Sequence, residues 1–142
     1  MLSLCDLPLE VLTTLVLPEL SPFDLARLCQ VNGWMNNAVF DFLTNIKSVK
    51  MPKQYDHNWR ELFTNNEMRR CFQFMTRHTT KLVTLGNDIW DGDEHYRWML
   101  NGDLQRVIQR NPKLRIIDLH ETKISHAVLR QLLLCKNLKF VR

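Results

Sequence analysis

One hydrophobic motif returns four times after residue 45, and it constrains the fold more than any other feature. Ile46, Val49 and Met51 stand at its first, fourth and sixth positions. Leu82 and Leu85 begin it again, and Asn87 breaks it at the third apolar place. Leu114, Ile117 and Leu119 make the clearest copy, and Leu138 and Val141 the last. The copies start 36, 32 and 24 residues apart, and only the final spacing lies in the range of about 20–29 residues that short strand–helix repeats use. Helical patterns fill the gaps. Cys71, Phe72, Phe74 and Met75 fall between Met68 and His78, and Met99, Leu100, Leu104, Val107 and Ile108 between Trp98 and Arg110, with Gly102 a weak point. Pro112 ends that second helix, and Ser125 can cap a third carrying Val128, Leu129, Leu132 and Leu133. Strand–turn–helix units in series bury their faces by stacking on one another.

The segment before residue 46 reads differently. Asp6 and Glu10 flank a helix start with Pro8 in its first turn, where a missing N–H costs nothing. At about 100° per residue, Leu9, Val11, Leu12, Leu15 and Val16 share one arc, and Leu17 falls among the polar residues. Pro18 stops this segment. Ser21, Pro22 and Asp24 make a second start, with Ser21 as cap and Asp24 able to return to it as in a capping box. Leu25, Leu28 and Cys29 give that helix an inward face. A third helix runs from Gly33 to about Leu43, with Trp34, Ala38 and Phe42 in one row and Met35, Val39 and Leu43 in another. Three such short helices carry more apolar side chains than a bundle of their size hides, which leaves either a partner surface or packing on the rest of the chain.

The run Leu7-Pro8-Leu9-Glu10-Val11-Leu12, then Leu15, Leu20-Ser21-Pro22, Asp24-Leu25, Leu28-Cys29 and Val31, resembles the F-box. Met35 stands where an F-box usually has an aromatic residue, and Trp34 is one place early. The stretch from Asn111-Pro112-Lys113-Leu114 through Leu119, Thr122, Ile124-Ser125 and Leu129 is similar to the leucine-rich repeats of F-box proteins. The resemblance implies a mainly α fold with some β: a three-helix F-box over 1–45, then a short α/β leucine-rich solenoid over 46–142. It implies a non-catalytic substrate-recognition subunit of a Skp–cullin–F-box ubiquitin ligase, part of the ubiquitin-conjugation pathway. Leu7, Pro8, Leu12, Leu15, Leu25 and Leu28 would then face the Skp-family adaptor, which links to a cullin. An alternative partner is elongin C, whose box shares the Leu25 and Cys29 spacing but wants an apolar residue where Gly33 stands. A leucine-rich scaffold with no ligase role is a further alternative. The series stops inside a strand at Arg142 without a cap, so the repeat region is expected to be incomplete at its C-terminus.

Strand alternation predicts where a target protein would touch. With Ile117, Leu119 and Val141 inward, Ile116, Asp118, His120, Phe140 and Arg142 face out. Apolar anchors in a polar surround are the anatomy of a binding patch.

Other chemistry is set aside on spacing. Cys5, Cys29, Cys71 and Cys135 contain no CxxC pair, so neither a zinc ribbon nor a redox motif is indicated. The histidines show no HExxH arrangement, and no glycine-rich phosphate loop exists among four glycines, so no enzyme and no cofactor is expected. Asp88, Asp91, Asp93, Glu94 and His95 fit no cation loop, and no metal is expected there. Charge runs from −4 over residues 1–45 to +1 over 46–103 and +7 over 104–142, which suggests two modules with different neighbours. Few aromatics interleave the basic end, which argues against nucleic acid. No secretory signal and no run of about 18 apolar residues points to cytoplasm or nucleus rather than a membrane.

Overall fold

A computed structural model describes residues 3–49, 51–85, 98–118 and 124–141. The protein is mainly α-helical with a small parallel sheet. After a 3-10 turn at Leu4–Asp6 comes α1 (Leu9–Val11), which runs directly into a π-helical turn, Leu12–Val16, and a 3-10 turn, Leu17–Glu19. Then follow α2 (Pro22–Leu28) and α3 (Gly33–Asn45). The remainder alternates: α4 (Asn65–Thr76), β1 (Thr84–Leu85), α5 (Asn101–Arg110), β2 (Ile116–Ile117), α6 (His126–Leu133) and β3 (Phe140–Val141).

The π-turn corrects the helical-arc expectation for the first helix. Leu17 N–H donates to Leu12 O, a reach of five residues instead of four. That wider turn puts Leu12 and Leu17 on the same side. Both are fully buried, and Leu15, expected beside Leu12, points to solvent.

The caps form largely as their sequences dictate. Ser21 Oγ accepts from Asp24 N at 3.2 Å, with Pro22 at the first helical position. Asp24 does not close a capping box on Ser21; its carboxylate turns to Arg27 at 3.4 Å instead. Asn32 caps α3 through Met35 N at 2.8 Å, and Ser125 caps α6 through Val128 N at 3.4 Å. At Ser3 the return half of a capping box forms, Ser3 N donating to Asp6 Oδ2 at 2.8 Å, and a complete box occurs at Thr64 with Glu67. The second fixes the start of α4, whose inner face is Met68, Cys71, Phe72 and Met75.

The strands pair in the register of the sequence motif. Ser48 bridges Thr84, Thr84 pairs with Ile116, and Ile116 pairs with Phe140, all in parallel. These separations are 36, 32 and 24 residues, the intervals between the motif copies. Each step along the sheet therefore advances by one strand–helix unit. The motif's fourth positions, Val49, Leu85 and Ile117, are buried, as are the first positions Leu82 and Leu114. Three residues before the first positions Leu82, Leu114 and Leu138 stands a polar side chain that bonds back to the helix just finished. Thr79 Oγ1 donates to Thr76 O at 3.0 Å, Asn111 Nδ2 to Val107 O at 2.8 Å, and Cys135 Sγ to Gln131 O at 3.5 Å. Asn111 also donates to Thr79 Oγ1 at 3.1 Å and accepts from Leu82 N at 3.0 Å, so it joins two successive units. The two Asn111 bonds to Val107 O and Leu82 N satisfy a carbonyl at a helix end and an amide at a strand start.

The N-terminal helices and the ladder share one core. Buried side chains form a single cluster from Leu12 to Leu132. α2 packs on α4, and the rings of Phe23 and Phe63 stack with centroids 4.7 Å apart.

Candidate functional site

Two surfaces follow from this architecture: the outside of α1–α3 and the strand ladder. Of the residues expected to face an adaptor, Leu15 is 68% exposed, Pro8 is exposed, and Leu7 and Leu28 are half-buried. Leu12 and Leu25 correct the expectation. Both are closed to solvent, because the π-turn aims Leu12 inward and α2 lays Leu25 on the same core. Leu4, Leu9, Val31 and Trp34 are exposed on the same three-helix unit, and none of them was singled out for the adaptor face. A contact of 3.4 Å between Asn32 Nδ2 and Cys5 Sγ holds the first turn beside the α2–α3 connection, next to Val31. Period had placed Leu9 on the apolar arc and Trp34 in a row with Ala38 and Phe42; for Leu4 and Val31 the available signal was compositional, since both lie in turns or connections.

On the ladder, Ile116 is half-buried and its neighbour Ile117 is fully buried, as alternation requires. Asp118 does not face out; it is 5% exposed. Its amide donates to Leu85 O at 2.9 Å, one residue past the end of β2, and alternation holds only within a strand. A buried carboxylate must be partnered, and Asp118 is. His120, Arg142 and the side chain of Phe140 lie outside the described residues, as does the acidic group from Asp88 to His95.

The thiols divide by burial. Cys5 is exposed and Cys71 is buried. Desolvation pushes the Cys71 thiol up to about 12, which removes it as a nucleophile near neutral pH. Burial also raises Cys29 and Cys135. Among the described residues, no group of three or more His, Cys, Asp or Glu is placed to hold a metal ion, and no helix is long and apolar enough to cross a membrane.

The fold is mainly helical with a small parallel sheet, and its N-terminal helices share one core with that sheet and its connecting helices. The chain matches no family model, no curated protein and no solved structure.

Proposed function

We propose that this chain is the substrate-recognition subunit of a Skp–cullin–F-box ubiquitin ligase, with an F-box over residues 1–45 and a leucine-rich solenoid over 46–142. It acts without catalysis, by holding a target protein where the ligase can modify it in the cytoplasm or nucleus. The observation that carries this reading is the apolar surface of the N-terminal unit. Leu9, Leu15, Val31 and Trp34 stay exposed on a unit whose Leu12, Leu17, Leu25 and Met35 belong to the buried core. Apolar side chains left outside a well-filled core are the mark of a partner surface. The parallel ladder at motif spacing supports the repeat half of the reading.

An elongin C partner would use Leu25 and Cys29. Leu25 is buried and Cys29 half-buried, so that contact would require α2 to open, whereas the surface around Leu15 requires no rearrangement. The test is capture of the purified chain by a Skp-family adaptor and, separately, by elongin C. The adaptor should bind, and Leu15→Asp should weaken it by more than about 2 kcal/mol, the usual loss when a charge enters a dry contact. Circular dichroism should remain that of the parent. Leu12→Asp is unsuitable here because it would put the charge in the core. If the parent chain captures elongin C and not the adaptor, or neither, this reading is wrong.

A further inference from the structure

α4 and α5 wall a cleft of about 550 Å³ whose lining includes Arg70, Arg77, Arg106 and Arg110, with Phe40 and Phe74 contributing apolar surface. Helical period assembles it. Arg70, Phe74 and Arg77 follow at i, i+4 and i+7 along α4 and its C-terminal cap, and Arg106 and Arg110 at i and i+4 on α5. The acid in the lining is Asp103, and it is already engaged. It is 7% exposed, and its oxygens accept from Gln73 Nε2 at 3.1 Å, Arg106 Nη1 at 3.4 Å and Arg69 Nε at 3.2 Å. Arg69 lies outside the lining, so much of the Asp103 charge is countered from behind and the cleft keeps a cationic excess.

Arg110 carries the strongest demand for an anion. Its Nη2 donates to Thr76 O at 2.9 Å, which pins the guanidinium across the gap between the two helices. Its Nε is buried and finds no hydrogen-bond partner among the described residues. Burial and the neighbouring Arg106 charge both push its pKa below the ordinary guanidinium value. Crowded like charges and an unbonded buried N–H are both unfavourable. An oxyanion between the helices would relieve the crowding of Arg106 and Arg110, and it would bond the buried Nε only after the guanidinium turned toward the cleft.

We propose that this cleft binds a phosphate monoester. A carboxylate is satisfied by one guanidinium fork, whereas a phosphate dianion offers three acceptor oxygens and so can engage arginines from both helices together. Phe40 and Phe74 also line the cleft and give apolar surface to the organic group that carries the phosphate. The site stands independently of whether α1–α3 bind an adaptor.

Calorimetry on the full chain at constant ionic strength tests this with four probes: inorganic phosphate, phenyl phosphate, a phosphoserine peptide and the same peptide unphosphorylated. The phosphate-bearing organic probes should bind saturably and the unphosphorylated peptide should not. Tighter binding of the phosphopeptide than of phenyl phosphate supports a protein-borne phosphate, and the reverse order supports a small-molecule one. Arg70→Gln with Arg77→Gln changes two exposed side chains and should leave the melting curve in place while weakening binding at least about tenfold. Arg110→Lys keeps the charge, removes the buried Nε, and should weaken binding more than it changes the salt dependence. Absence of saturable binding by every phosphate probe overturns the proposal. So does binding that ignores both variants, or an oligonucleotide that outcompetes the monoesters with steep salt dependence, which would mark a nucleic-acid backbone surface instead.

Discussion

In the ladder, every first- and fourth-position residue from Leu82 to Ile117 is shut away from solvent, and neighbouring units are tied by Asn111. In the N-terminal helices, Leu12 and Leu17 are just as buried, but Leu9 and Leu15 beside them and Trp34 on α3 are not. The difference lies in what each element meets. A strand in the ladder has a like strand beside it and a helix behind it, so its period alone decides which side chains are covered. The N-terminal helices meet the core on one side only, and the π-turn at Leu12–Val16 resets which residues reach it. Period is therefore a reliable guide to burial at the motif's own apolar positions, and a poor one past a strand's end, as at Asp118, or where a short helix ends against something unlike itself.

The comparison is tested most severely in the shared core. Leu12→Ala and Leu114→Ala each remove a fully buried side chain and should each cost about 2–5 kcal/mol in chemical denaturation. With one continuous core, both should shift the same cooperative transition. Two separate transitions, each moved by only one of the variants, would divide the molecule near residue 45 and defeat the single-core account.

The tie between units comes next. Asn111→Ala leaves Leu82 N–H and Val107 O without their side-chain partner, and removing one side of a buried hydrogen bond costs about 1–3 kcal/mol. Amide exchange at Leu82 should accelerate more than exchange within α3. Equal acceleration in both places would mean that Asn111 stabilises the whole chain and not the junction between units.

Thiol chemistry separates the two regions at smaller energetic effect. Cys5 is exposed and should alkylate rapidly in the native state, whereas Cys71 in α4 should react only on unfolding. The Cys71 thiol is raised from 9.0 to about 12 on folding, so the folded state holds its proton more tightly. Its contribution to stability is therefore full below about pH 9 and is lost progressively as pH climbs toward about 12. Fast native alkylation of Cys71, followed by mass spectrometry, would show that α4 opens locally.

The smallest effects belong on the surface. Leu15→Ser and Leu133→Ser alter residues that are 68% and 85% exposed, and each should move stability by no more than about 0.5 kcal/mol. A larger loss at Leu15 than at Leu133, measured on the isolated chain, would show that the N-terminal apolar surface is covered within the molecule and would remove the main support for an adaptor site.

Much of the ladder was legible because its signal is repetition. The motif at Leu82, Leu114 and Leu138 sets strand position, and the intervals between copies are the intervals of the pairing register. The helix starts at Ser21 and Ser125 were legible because a side-chain oxygen three residues ahead of a free amide is a local event. What lay beyond the sequence was every outcome that depends on a distant surface. Leu17, which helical period placed among polar residues, became core because a one-residue change in hydrogen-bond reach turned it toward the rest of the chain. Asp118 went inward because β2 ends at Ile117 and its alternation ends with it. The arginines of α4 and α5 stand 29 or more residues apart in sequence, and only the packing of two helices turned two solvated stripes into one cleft. Local hydrogen bonding and period are written along the chain; which of two opposite faces is covered is decided by what arrives to cover it.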